Sequence, residues 1–147
     1  MKYSKISAYF DKGEEGIIEL LKDITPMLDT IDEYAGQFIG DSFSGTDELR
    51  TAKTVLAGII ANLQPIYSKA LSVKKQKEYR YYAATKAEAG DKFKDGATEK
   101  LAKDNVASFR NLRDILKGYL NSAEAMSFDA RDRIIGNQNE YNKTKEA

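Results

Sequence analysis

The chain has 147 residues, 41% of them apolar and 31% charged, and its 23 basic and 23 acidic residues leave a net charge of zero. That length suits one domain with a sizeable core, and the high charged share suits thin helical elements with much exposed surface. No cysteine and no histidine occurs, which excludes disulfides, thiol chemistry, Cys/His zinc sites, and histidine-based or Ser-His-Asp catalysis.

Only two prolines interrupt the chain, so long helices are permitted, and an all-β chain would need more turns and β-branched runs. Met1–Ser7 lacks the apolar core of a signal peptide, and no stretch approaches the ~20 apolar residues of a membrane span. The expectation is a soluble cytoplasmic protein with no membrane partner. The zero net charge hides an asymmetry. Residues 1–50 carry five basic against eleven acidic residues, a net −6, and residues 51–147 carry eighteen against twelve, a net +6. Such a split can drive head-to-tail association of subunits or let a partner bind the basic part alone.

In chain order, residues 1–12 hold Tyr3, Ile6, Tyr9 and Phe10 as apolar anchors of a short element or docked arm. From Glu14 an amphipathic helix follows, with Ile17, Leu20, Leu21, Ile24, Met27, Leu28, Ile31, Tyr34 and Phe38 at three- and four-residue steps. Glu14 and Glu15 suit its positive dipole end, Pro26 predicts a kink near Thr25, and Gly36 or Gly40 ends it. Residues 41–46 read as a loop, with Ser44 or Thr46 as the N-cap of a second helix. Its stripe is Leu49, Ala52, Val55, Leu56, Ile59, Ile60, Leu63, Ile66, Tyr67 and Ala70. Pro65 makes it one kinked helix or two abutting ones.

Past Ala70 the same steps reach Lys74, Lys77 and Tyr81, so the apolar stripe turns basic and aromatic. A buried stripe cannot become lysine without partners or water; this end of the helix is expected to project or to line a solvated surface. Gly90 and Gly96 mark a hairpin tip. A third helix is expected from Thr98, with the stripe Leu101, Val106, Phe109, Leu112, Ile115, Leu116, Tyr119, Leu120, Ala123 and Met126. It bends near residues 127–129, ends at Gly136 and leaves a frayed tail over 137–147.

The run Lys69–Tyr82 packs five basic residues and three tyrosines into fourteen positions, with Glu78 the one acid. Such a run points to single-stranded nucleic acid, because cations neutralise phosphates and exposed rings stack on unpaired bases. The candidate contacts are Lys74, Lys75, Lys77 and Arg80, with Tyr79, Tyr81 and Tyr82 as stacking platforms. Removing Lys74 and Lys77 should weaken binding and flatten its salt dependence. The competing reading is a solvated helix face whose tyrosines pack on the third helix. Carboxylate pairs such as Glu15/Glu19 and Asp29/Asp32/Glu33 lie on polar faces with nothing converging on them. No catalytic site, metal or cofactor is therefore expected. Arg110, Arg113, Arg131 and Arg133 are expected to pair with nearby acids.

The run Lys74-Lys75-Gln76-Lys77-Glu78-Tyr79-Arg80-Tyr81-Tyr82, the segment Leu120–Met126 and the sequence Arg131-Asp132-Arg133-Ile134-Ile135 together resemble the UvsY recombination mediators of tailed phages. The resemblance covers about half the chain, from Lys69 to roughly Glu140. It departs where that family has a Lys-x-Arg pattern before the Tyr-Tyr pair, since Gln76 and Glu78 stand there, and the acidic helix over 14–38 has no counterpart. It implies a non-enzymatic protein that binds single-stranded DNA. Such a protein helps load a RecA-like recombinase onto DNA coated by single-strand-binding protein, and acts as a homo-oligomer in the cytoplasm of the phage's host.

The expectation is an all-α fold in a single domain: a long kinked antiparallel helical hairpin over 46–136, with an additional acidic N-terminal helical segment over 1–40. Its stripes exceed what one thin hairpin can bury, which points to a homo-oligomer. The expected function is that of an accessory single-stranded DNA-binding protein with low sequence specificity. The alternative is a phage structural or adaptor protein that self-assembles, or bridges other proteins, without binding nucleic acid.

Overall fold

A computed structural model describes Met1 and residues 3–146, with the backbone alone for Tyr3 and Asn105. The described residues form helices α1 (Tyr3–Asp11), α2 (Glu14–Ile39), α3 (Thr46–Ala89), α4 (Asp95–Asn105) and α5 (Ala107–Glu146), with a 3-10 turn at Gly90–Lys92 and no strand among them. The fold is all-α. Both prolines lie inside helices that continue past them, Pro26 in α2 and Pro65 in α3. In α2 the Thr30 hydroxyl donates to the Pro26 carbonyl at 2.9 Å.

Contacts group the chain into two compact units. One comprises residues 1–22 and 65–116, the other residues 23–64 and 117–147. Charge separates along the same division: the first holds sixteen basic against eleven acidic residues, the second seven against twelve.

In the first unit α1 packs through Ile6, Tyr9 and Phe10, and the Phe10 and Phe109 rings stack with centroids 6.2 Å apart. Gly13 ends α1 in the left-handed region at φ 68°, a conformation open to glycine without Cβ strain. Three residues on, α1 crosses the start of α2 so closely that a Cβ on Gly16 would lie 1.7 Å from the Tyr9 carbonyl oxygen. Ser108 Oγ donates to Glu14 Oε1 at 2.8 Å, tying the start of α5 to the start of α2. Ile17, Leu20, Ile66, Ala70, Leu112 and Leu116 fill the interior, as their spacing predicts.

The second unit buries Ile24, Leu28, Ile31 and Phe38 of α2 with Leu49, Leu56, Ile59 and Leu63 of α3 and Leu120, Ala123 and Met126 of α5. The Tyr119 hydroxyl donates to Asp32 Oδ2 at 2.9 Å, and that bond holds the phenol above its usual range. α3 opens with its third residue, Glu48, reaching back to accept the Ser44 backbone N–H at 2.8 Å, which satisfies a donor just ahead of the helix start. Hydrogen bonds from Ser44 hold Glu48 below the usual carboxylate range. A carboxylate depressed in the folded state stabilises above its unfolded pKa, and that stabilisation is lost as pH falls through the lowered value. Glu48→Ala should therefore lower the melting temperature at neutral pH, and the gap to the parent should close on acidification; thermal scans across pH check this.

Arg133 clamps the end of α2. Its guanidinium meets Asp41 at 2.6 Å and Asp129 at 2.9 Å, and stacks 5.4 Å from the centroid of the Phe38 ring. Arg113 pairs with Asp114 and Arg131 with Asp132. Arg133→Ala removes a bidentate, ring-stacked cation that lysine cannot reproduce. It should cost about 1–2 kcal/mol in urea unfolding, with Arg133→Lys recovering less than half.

Two expectations are corrected. The third helix begins at Asp95, before the expected Thr98, and breaks at Val106, whose φ −114° and ψ 21° leave the helical region. The buried positions of α4 are Thr98 and Ala102, while Leu101 is 53% exposed, so the stripe there was misread by one position. The final helix continues through Gly136 to Glu146, with Asn137 Nδ2 donating to Thr46 Oγ1 at 3.2 Å.

Candidate nucleic-acid interface

From Leu71 to Ala97 no residue is buried, so the part of α3 where the stripe turns basic is a solvated end of the first unit. Helical spacing sorts the seven candidate residues onto different faces. Positions 74 and 81, with Glu78 between them, continue the inner stripe, 75, 79 and 82 lie on one flank, and 77 and 80 lie on the other. Their surroundings follow this sorting.

On the inner stripe Lys74 pairs with Glu78 at 3.0 Å, and the two side chains are only 15% and 20% exposed. This pair satisfies the demand that a lysine entering a partly buried stripe brings a counter-charge, and it removes Lys74 from the cations open to a ligand. Tyr81 is half-buried, and its carbonyl accepts the Thr85 hydroxyl. On one flank Lys77 Nζ sits 5.1 Å above the Phe109 ring of α5, a cation–π contact that leaves the ammonium exposed. Arg80 is exposed, and among the described residues neither it nor Lys75 pairs with an acid.

The other flank faces α4. The Tyr82 ring meets Phe93 edge-on at 5.3 Å, and its hydroxyl donates to Asp95 Oδ1, a bond that raises the phenol above its usual range. Lys86 Nζ lies 5.7 Å from the Phe93 centroid. Tyr79, one turn from Lys75, is 73% exposed. Between the helices runs a groove of about 260 Å³, bordered by Lys75, Glu78, Tyr79 and Tyr82 of α3 and completed by α4. The α4 residues Glu99, Ala102 and Lys103 went unrecognised in the sequence. The four-residue step from Thr98 to Ala102 is the signal that could have found them. Lys103 pairs with Glu99 at 2.9 Å, which raises the lysine above its usual range.

The structure thus brings Lys75, Tyr79 and Tyr82 together on one flank, leaves Lys77 and Arg80 exposed beyond it, and commits Lys74 to an internal pair. Chemically this end of α3 offers an exposed tyrosine beside Lys75, two further exposed cations on the rest of the helix, and an adjoining groove lined by apolar surface, Glu78, Glu99 and Lys103. Among the described residues no group of acids is arranged to hold a metal ion, and no helix is long and apolar enough to cross a membrane. Comparison with protein-family models, curated proteins and solved structures finds no match to this chain.

Proposed function

We propose that the chain is a non-enzymatic accessory protein that binds single-stranded DNA through the α3 surface around Tyr79. The observation that carries this reading is Tyr79, 73% exposed one turn from Lys75, with Lys77 and Arg80 exposed on the other side of the same helix, on the unit with the excess of basic residues. Cations that track phosphates beside a ring that stacks on bases are the two components of sequence-tolerant single-strand binding. The resemblance to phage recombination mediators supplies the role. A homo-oligomer of such units would hold the strand while a RecA-like recombinase replaces single-strand-binding protein.

Fluorescence anisotropy of a labelled single strand at low and moderate salt tests the proposal. Micromolar or tighter binding that weakens steeply with salt is the expected result; no binding at low salt overturns it.

A second reading, a structural or adaptor protein, is favoured by the opposite charges of the two units and by apolar side chains left in water, Ile39 at 88% exposure and Phe128. In that case self-association, measured by light scattering, depends on salt while the labelled strand stays free.

A further inference from the structure

Phosphate neutralisation and stacking on Tyr79 leave the groove between α3 and α4 unused. Its volume of about 260 Å³ falls below the ~300–1,000 Å³ of sites for drug-sized ligands, so it suits one planar ring system. Ala102 and the rings of Tyr79 and Tyr82 supply apolar surface. The polar groups that line the groove are two carboxylates, Glu78 from one helix and Glu99 from the other, and two lysines, Lys75 and Lys103.

These two carboxylates stand differently. Glu99 already accepts from Lys103. Glu78 gives Oε2 to Lys74, while its Oε1 is shielded from solvent with no hydrogen-bond partner among the described residues. An ionised carboxylate is an acceptor only, and a shielded acceptor without a donor is an unmet demand; a small rotation of the Glu78 carboxylate toward the groove that this residue lines presents it to an entering N–H group. Lys75, at the rim and without an acidic partner, is placed for the phosphate next to such a group.

We propose that this groove receives one unstacked nucleobase of the bound strand and prefers a base carrying an amino group, cytosine over thymine. The amino group of cytosine donates to a carboxylate, the pairing by which acidic side chains read cytosine. Thymine has no amino group at that position to give, so the open acceptor of Glu78 stays unfilled when thymine enters. The inference rests on the reading of the α3 surface as a single-strand site and refines its expected lack of sequence preference.

The test is anisotropy with oligodeoxycytidine and oligodeoxythymidine of equal length, at mildly alkaline pH, on the full chain and on the variants Glu78→Gln and Glu99→Gln. The parent should bind the cytidine strand about tenfold more tightly. Glu78→Gln should narrow that ratio to less than about twofold, because an amide both donates and accepts, without weakening the thymidine strand. Glu99→Gln lies on the exposed rim of α4 and should narrow the ratio in the same direction, so it carries the test if Glu78→Gln fails to fold. Equal affinity of the parent for both strands overturns the groove's role and leaves the binding proposal standing. A preference unchanged in both variants overturns the carboxylates as its source. No binding to either strand overturns both proposals.

Discussion

Gly16→Ala should destabilise the protein by about 3 kcal/mol or more, lowering the melting temperature by roughly 10 °C. The reason is steric and local. A Cβ at residue 16 would fall 1.7 Å from the Tyr9 carbonyl oxygen and 2.7 Å from its carbon, well inside van der Waals contact. The atoms in the way belong to the backbone of α1, so no rotamer change relieves the overlap; α1 itself must move. Moving it pulls Ile6, Tyr9 and Phe10 from the interior and separates Phe10 from Phe109. The control is the same substitution further along α2. Gly36→Ala meets nothing within 4 Å, so it should gain up to about 1 kcal/mol from helix propensity alone. Urea unfolding of the two variants should thus show opposite signs. A stable Gly16→Ala chain would mean that α1 does not pack on α2 in solution.

The close approach at Gly16 also shows where sequence reading stops. Periodicity located the apolar faces of α2 and α3, because burying one face of a helix leaves a three- and four-residue spacing: Ile17, Leu20, Ile24, Leu28 and Ile31 are all buried, as are Leu49, Leu56, Ile59 and Leu63. It could not show that Gly16 is a crossing point, since a glycine inside a helix reads equally as a weak position or as a contact. The same ambiguity misplaced the end of α5. Gly136 looks like a stop signal, yet the helix continues, and glycine within a helix costs only about 1 kcal/mol relative to alanine.

The break at Val106 carries no glycine or proline, and the buried side of α4 is made of Thr98 and Ala102, too small to register against the larger Leu101 nearby. For the candidate interface, the density of cations and rings was legible, but their sorting onto separate faces depends on angle. Lys74 and Glu78, four residues apart, could be foreseen as a pair; the groove beside Tyr79 could not, because its second wall arrives from α4 across the hairpin tip.

Two sets of variants separate the components of single-strand binding, and they should fail in different ways. Replacing Lys75, Lys77 and Arg80 by alanine removes cations not committed to an acid. Each phosphate contact contributes about 0.7 to the logarithmic salt slope of single-strand binding, so the triple variant should lower that slope by about 2 and weaken affinity at low salt by well over tenfold. Tyr79→Ala removes no charge. It should weaken binding through lost stacking, about 1–3 kcal/mol or some fivefold to 150-fold, with the salt slope unchanged. Lys74→Ala should alter the slope least among the lysines, because its ammonium is held by Glu78 within a barely exposed pair. Anisotropy titrations across salt concentration measure all three. A Lys74→Ala slope change as large as that from Lys75→Ala would show that the pair opens when the strand binds. If Tyr79→Ala and the triple variant both bind like the parent, the strand lies elsewhere on the molecule, and the basic end of α3 is a solvated helix face whose lysines only keep it in water.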